Sequence, residues 1–344
     1  MQGEWNDKIF GLTEASFEPL SLEIFRFQYD NNIVYKNYVD AIAVNPRSVT
    51  TIMQIPFLPI NFFKSHFILT TSFQPRVVFE SSGTTDTVNS HHVIKDLSLY
   101  QQSFTKCFEY FYDPVKDYCI IGLLPSYLER GNSSLVYMVD KLIEMSEHPQ
   151  SGFYLREYDR LAATLTELEK NKQKTLLIGV TFALLEFAEK FSFPLRHTII
   201  METGGMKGRR EEMIRTEVHD ILKKAFDVTE IHSEYGMTEL LSQAYSKGGG
   251  VFCNPLWMKV LVRDAEDPFY VQSAVKSLQL TADDQLTIHH SSLTGAVNII
   301  DLANIYSCCF IATDDVGKVY SDGSFEILGR MDNSDLRGCS LMIV

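Results

Sequence analysis

Three short stretches carry side chains that could handle a nucleotide. The first is Ser81-Ser82-Gly83-Thr84-Thr85. A glycine lets backbone N–H groups approach a phosphate closely. Successive N–H groups form an anion nest, and the hydroxyls add neutral donors. The same composition also suits a solvated turn. It is not the G-x-x-x-x-G-K-[ST] pattern, which disfavours P-loop nucleotidases. The second is Tyr235-Gly236-Met237-Thr238-Glu239. Here a ring could stack on a purine, and a carboxylate could hold Mg²⁺, a hard cation that prefers oxygen ligands and usually bridges to phosphates. A plain helix start would read the same way. The third runs from Thr313-Asp314-Asp315-Val316-Gly317 to Gly329-Arg330-Met331-Asp332. An Asp can accept both ribose hydroxyls, and Arg330 could reach a ribose or a phosphate. Acidic turns between strands are the plainer alternative.

These residues need a frame. Four strand-like runs lead into loops of chemical interest. Arg76–Phe79 leads into the serine/threonine loop, and Tyr118–Leu124 into Pro125-Ser126-Tyr127. Thr198–Met201 leads into Glu202-Thr203-Gly204-Gly205-Met206-Lys207, and Val228–Ile231 into the tyrosine loop. Thr175–Val180 reads as a further buried strand. Helices fit between them, over 97–111 and 210–226, from apolar residues at three- and four-residue spacing. Alternating strands and helices predict an α/β fold, a large mainly parallel sheet with helices on both faces. In such sheets ligands bind outside the carboxyl ends of the strands, so the four loops are expected to line one site. Beyond residue 250 the runs are shorter: Met258–Val262, Gln285–His289, Val297–Asp301, Phe310–Thr313 and Ser324–Leu328. They predict a smaller antiparallel β subdomain. The expected division is 1–250, an α/β core with an N-terminal helical cap, and 251–344, the β-rich subdomain.

Composition excludes several classes. The 344 residues are 45% hydrophobic and 22% charged, an ordinary globular balance. A net charge of −13 makes non-specific nucleic-acid binding a poor reading. No apolar run is long enough to span a bilayer. The N-terminus lacks the pattern of a secretory signal. The six cysteines form no C-x-x-C pair and read as free thiols of a cytoplasmic protein. Cys308-Cys309 sits in an apolar stretch and reads as core. His289-His290 with Cys253 or Cys308 is too loosely spaced for a metal site.

Taken in order, Ser-Ser-Gly-Thr-Thr at 81, Tyr-Gly-Met-Thr-Glu at 235, Thr-x-Asp-x-Gly at 313 and Gly-Arg-x-Asp at 329 resemble the core motifs of the adenylate-forming enzymes. That superfamily includes acyl-CoA synthetases, adenylation domains of peptide synthetases and firefly luciferase. A closer resemblance is to the acyl-protein synthetase of the bacterial luminescence fatty-acid reductase complex and its non-luminous relatives. It rests on His91/His92, Lys95-Asp96-x-x-x-Tyr100, Gly204-Gly205-Met206-Lys207-Gly208 and Arg337-Gly338-Cys339-Ser340-Leu341.

The resemblance implies the fold of that superfamily's N-terminal domain, without its usual C-terminal domain, and ATP and Mg²⁺ as cofactors. Ser82, Gly83, Thr84 and Thr85, with Ser81 beside them, would cradle the β- and γ-phosphates. Gly204, Gly205 and Tyr235, flanked by Met206, Gly236 and Met237, would hold adenine. Thr238 would contact the α-phosphate and Glu239 would hold Mg²⁺. Asp315 would bind the ribose with Arg330 nearby, and Asp332 occupies the hinge position. Two departures stand out. Asp86 replaces a usual glycine, with no lysine after it, and Lys95 or the histidine pair could restore positive charge. The chain also ends just after the hinge motif. Either the enzyme never had the C-terminal domain or this is a fragment; the shorter acyl-protein synthetases favour the first.

The implied reaction joins a carboxylic acid, expected to be fatty, to ATP as an acyl-adenylate, then passes the acyl group to a thiol. With the usual C-terminal lysine missing, Lys207 is the candidate cation, or else a solvated residue beside Arg209 and Arg210. Arg337 would lower the pKa of Cys339, making it a candidate acyl acceptor; a buried terminal strand is the alternative. Helix residues 182–187 and the loop at 125–131, including Arg130, are candidates for the acyl pocket. The partners left open are an acyl-reductase, an acyl-carrier protein or CoA. The competing readings are an acyl- or aryl-CoA ligase and, of a different class, a non-catalytic nucleotide-binding or scaffold protein.

Overall fold

The structure is a computed structural model describing residues 2–81, 88–125, 132–204, 213–264, 266–272, 276–280 and 286–331; for 2, 3, 276–280 and 286–290 the description is of the backbone. Ser82, Gly83, Thr84, Thr85, Asp86, Arg130, Gly205, Met206, Lys207, Asp332 and Cys339 lie outside these residues.

The main sheet has six strands. Gly152–Phe153, Cys119–Leu123, Thr175–Val180, Thr198–Thr203 and His232–Tyr235 run parallel in that order. Ala244–Ser246 closes the edge antiparallel. Cys119–Leu123 and Thr175–Val180 are buried throughout, the continuous apolar run expected when helices cover both faces. Each Leu, Ile or Val so buried contributes about 1.5–3 kcal/mol. Helices Leu97–Phe111 and Ser134–Ser146 cover one face; Thr181–Lys190 and Arg215–Phe226 cover the other.

Leu97–Phe111 has the bounds the periodicity predicts. Asp96 caps it by accepting from the Ser98 N–H at 2.9 Å, and the chain turns extended at Tyr112, before Pro114. Its buried face is Leu99, Tyr100, Ser103, Phe104, Cys107 and Phe108. Leu97 and Phe111 are only partly buried.

The second sheet is antiparallel over Met258–Arg263, Ser292–Asp301, Phe310–Tyr320 and Phe325–Arg330. Val271–Gln272 extends one edge, and Leu58–Pro59 adds a parallel strand from the N-terminal segment. That segment is otherwise helical, with Gln2–Phe10, Glu14–Asn31 and Ile33–Ala41. Lys276–Leu280 and Leu286–His290 form a separate hairpin. One cluster of buried residues, from Ile9 to Phe325, joins the two sheets. It includes Cys308 and Cys309, as expected.

Three strand expectations need correction. Val77–Glu80 is not a parallel strand; it pairs antiparallel with His91–Ile94. Residues 81–90 are too few for the helical crossover a parallel pair needs, so the serine/threonine loop joins a hairpin instead. The strand expected over Val228–Ile231 lies four residues later, at His232–Tyr235. Its register pairs Met201 with His232, Glu202 with Ser233 and Thr203 with Glu234. Polar residues at the rim hid it from a β-propensity reading. Lastly, the strand from Phe310 continues to Tyr320, so Thr313 to Gly317 is strand rather than turn. Its period-two burial puts Thr313 and Asp315 inward and Asp314 outward.

Among the described residues no helix is long and apolar enough to cross a membrane.

Candidate active site

At the carboxyl rim of the parallel sheet, the Thr198–Thr203 strand ends at Gly204, whose φ of +63° suits glycine. Its carbonyl accepts from the Thr181 hydroxyl at 2.7 Å. The neighbouring strand ends at Tyr235. That ring packs against Phe325, centroids 5.5 Å apart, and Phe252, 5.9 Å apart. Phe252 in turn stacks on Phe325 and lies under the Arg215 guanidinium at 5.2 Å.

Tyr235 also joins the two sheets. Its hydroxyl donates to Asp315 Oδ2 at 2.7 Å. Arg330 Nε donates to the other carboxylate oxygen at 3.2 Å. Asp315 and Arg330 are cross-strand partners in register, which places them together despite their separation in sequence. Asp315 is buried, whereas the Arg330 side chain is 79% exposed and readily displaced. The Thr313 backbone is held from below by Arg263, a buried guanidinium that donates to the Thr313 carbonyl, the Val297 carbonyl and Asn298 Oδ1.

The loop after Tyr235 carries Gly236, Met237, Thr238 and Glu239. It is pinned from three directions. Asp301 accepts from the N–H groups of Leu241 at 2.7 Å and Ser242 at 3.0 Å, and from the Ser242 hydroxyl at 2.6 Å. Asn304 Nδ2 donates to the Glu239 carbonyl at 2.7 Å. His92 Nδ1 lies 2.7 Å from the Thr238 carbonyl. Trp257 Nε1 adds a donor to the Ser242 hydroxyl at 3.0 Å.

Glu239 is buried, and burial pushes its carboxyl pKa up; a Ser90 hydrogen bond and the charges of Arg330 and Lys64 oppose that push. A single buried carboxylate fits a Mg²⁺ ion that takes most of its ligands from phosphates and water. Among the described residues no three His, Cys, Asp or Glu side chains cluster as a metal cage.

Of the residues expected to restore positive charge, His92 is held neutral and Lys95 packs against a ring. His92 is fully buried, and burial pushes its pKa down to about 4, so the ring is neutral near pH 7. Lys95 lies over the Tyr306 ring at 3.9 Å. Of helix residues 182–187, all but Glu186 are buried. Phe182, Ala183, Leu184, Leu185 and Phe187 are buried in the core, with Phe187 stacked on Phe226. A groove of about 700 Å³ beside the Glu14–Asn31 helix shares no residue with the candidate site.

Gly204, Tyr235, Gly236, Met237, Thr238, Glu239, Asp315 and Arg330 therefore meet along one seam between the sheets, while Ser81 sits at the mouth of the hairpin loop. Sequence reading missed Asp301, Asn304, Ser90 and Arg263. Only Asp301 had a local signal, as the cap of the Leu302–Asn304 turn through the Ala303 N–H.

A parallel sheet joined to an antiparallel one is the fold of the adenylate-forming ligases on which the chain superposes. A long-chain-fatty-acid-CoA ligase from Archaeoglobus fulgidus superposes with a TM-score of 0.50 at 13% identity, covering 74% of this chain and 51% of the ligase. Residues 12–344 match the family model described as acyl-protein synthetase, LuxE, and the chain belongs to that family. A luciferase-like enzyme from the nonluminescent mealworm Zophobas morio superposes with a TM-score of 0.48 at 14% identity, covering 85% of this chain and 62% of that one. An O-succinylbenzoate coenzyme A synthetase from Bacillus subtilis, solved with ATP and magnesium ion, gives 0.47 at 14% identity, covering 78% of this chain and 54% of the other. The chain thus spans less than two thirds of the length of these solved structures. No curated protein sequence matches significantly.

Proposed function

We propose that this protein activates a fatty acid with ATP as an acyl-adenylate and then transfers the acyl group to a thiol. The observation that carries the reading is the meeting of Tyr235, Glu239, Asp315 and Arg330 along one seam, within a chain that matches the acyl-protein synthetase family over residues 12–344.

The substrate carboxylate is itself the nucleophile. It attacks the α-phosphorus of ATP, a P–O bond forms, and pyrophosphate leaves with the electron pair. The barrier lies in bringing two anions together, which preorganised donors and cations lower. Asp315 would accept the ribose hydroxyls once Arg330 swings aside. Gly204, Gly205 and the Tyr235 ring would hold adenine, with Met206, Gly236 and Met237 around it. Thr238 would donate to the α-phosphate, and Ser81, Ser82, Gly83, Thr84 and Thr85 to the β- and γ-phosphates. Glu239 would hold Mg²⁺, which when bound neutralises phosphate charge. Lys207 is assigned as the cation, and Cys339 as the thiol that takes the acyl group before a partner protein receives it, in the reducing cytoplasm.

Pyrophosphate exchange into ATP across a panel of carboxylic acids tests the first half. Exchange is expected with a fatty acid and is expected to vanish in Glu239→Gln and Lys207→Ala while both stay folded. Near-normal exchange in Lys207→Ala removes that residue from the mechanism. Labelled fatty acid tests the second half: hydroxylamine-labile label on the wild type should be lost in Cys339→Ser. The superposition on a CoA ligase favours a second reading, in which CoA is the acceptor; CoA-dependent AMP release without a protein partner would select it.

A further inference from the structure

The hairpin strand that returns from the serine/threonine loop grips the Thr238–Glu239 peptide, and nothing in the reaction above uses that grip. Ser81 and Ser90 close the base of the hairpin. The Ser81 N–H donates to the Ser90 carbonyl at 3.1 Å, and the Ser90 N–H to the Ser81 hydroxyl at 2.8 Å. The Ser90 side chain is buried, and it lowers the Glu239 pKa against the upward push of burial. Two residues on, His92 is also buried, with Phe63 edge-on to its ring at 5.9 Å. Its Nδ1 is 2.7 Å from the Thr238 carbonyl, and its Nε2 is 2.9 Å from Asn304 Oδ1.

The Asn304 amide has a defined orientation because its Nδ2 donates to the Glu239 carbonyl. Both ring nitrogens of His92 therefore face acceptors. A neutral imidazole carries one N–H and satisfies one of them. The shorter contact is to Thr238.

We infer that His92 is a positioning residue for nucleotide activation: donating from Nδ1, it orients the Thr238–Glu239 peptide from a hairpin whose base Ser81 and Ser90 close. Asn304 completes the bracket from the antiparallel subdomain. A hydrogen bond to a buried carbonyl is the kind of contact whose loss leaves the carbonyl unpaired and lets the peptide reorient. This inference rests on the acyl-adenylate reading above.

Asn and Gln separate the two ring nitrogens, because Asn places an amide donor near Nδ1 and Gln places one near Nε2. His92→Ala is expected to slow pyrophosphate exchange about tenfold and raise the Mg²⁺ needed for half-maximal exchange several-fold, with the KM for fatty acid unchanged. His92→Asn should recover most of the rate, and His92→Gln should not. Wild-type rate and Mg²⁺ dependence in His92→Ala would overturn the inference. Equal impairment of the Ala and Asn variants, tracking a fall in Tm, would overturn it in favour of plain packing. Should the wild type exchange no pyrophosphate with any acid, the acyl-adenylate reading itself fails. Calorimetric affinity for ATP with Mg²⁺ then judges the bracket, equal affinity in wild type and His92→Ala counting against it.

Discussion

The two faces of the parallel sheet treat ionisable groups in opposite ways. Glu202 and Glu234 sit on adjacent strands, one register step apart, and alternation sends them to opposite faces. Toward the Arg215–Phe226 helix, Glu202 meets a full set of partners. Arg215 Nε lies 3.3 Å away and His219 Nε2 3.4 Å away, and the hydroxyls of Ser233 and Thr181 each donate at 3.0 Å. Burial works against its charge, but His219, Arg215 and Ser233 overcome that and hold its pKa below the usual carboxylate value. Toward the Leu97–Phe111 helix, Glu234 receives the Thr203 hydroxyl and faces Glu202's negative charge, and burial lifts its pKa to about 7. His232 shares that face. It meets the Tyr112 hydroxyl at 3.0 Å, and burial with the Lys247 charge lowers its pKa to about 4. One face keeps charges because partners are present. The other offers only neutral hydroxyls, and burial there shifts both groups toward their neutral forms.

The largest test of that contrast is Glu202→Ala. It leaves Arg215 and His219 facing an uncompensated gap, and we expect a loss of about 3 kcal/mol at pH 7, measured by urea unfolding. A loss under about 1 kcal/mol would mean the charged face is no better partnered than the neutral one. Next is Glu234→Gln. A carboxyl whose folded pKa lies above its ordinary 4.5 binds more protons folded than unfolded between pH 4.5 and about 7, so stability falls as pH rises through that window. The glutamine variant should gain about 2 kcal/mol at pH 8 and almost nothing at pH 4.5. A pH-independent gain would assign the effect to packing.

His232→Gln should show the reverse pH dependence. A histidine whose folded pKa is depressed to about 4 loses stability as pH falls from its ordinary 6.5. Removing it should recover about 1 kcal/mol at pH 5.5 and none at pH 8, read as Tm against pH. The smallest expected effect is at Gly236. A Cβ there would come within 2.4 Å of Glu234 Oε1. Gly236→Ala should cost about 1 kcal/mol or less, and nothing in a Glu234→Ala background. Equal costs in both backgrounds would show that the glycine serves the loop and not the buried acid. Neither face lends its charge to Glu239. Because burial raises that carboxyl's pKa, its demand for Mg²⁺ should grow as pH falls, measured as half-saturation of pyrophosphate exchange at several pH values.

Much of this arrangement was legible beforehand. The Leu97–Phe111 helix and the Thr175–Val180 strand came directly from apolar periodicity, because each buries a long regular face. The hairpin under the serine/threonine loop did not, because a short antiparallel pair and a parallel strand share one local pattern. The rim strand His232–Tyr235 was displaced in the reading because His, Ser and Glu are poor strand formers that alignment with Thr198–Thr203 nevertheless holds extended. Gly204, Tyr235, Thr238, Glu239, Asp315 and Arg330 were candidates for nucleotide chemistry from their types and order, and the structure brings them to one seam. What supports them was not: Asp301, Asn304 and Arg263 lie in apolar surroundings with nothing local to mark them as partners of a loop far away in the chain.

The amino-acid order alone determined which side chains could do chemistry and which segments could become helix or buried strand, because both depend on residue type and near-neighbour spacing. Tertiary structure decided which of those residues touch, and in what state of charge. The Tyr235 contact with Asp315, the bracket of His92 and Asn304, and the unlike acidities of Glu202 and Glu234 are set by register, by the face a strand presents and by how much water burial removes. Those quantities exist only once segments far apart in the chain have packed together.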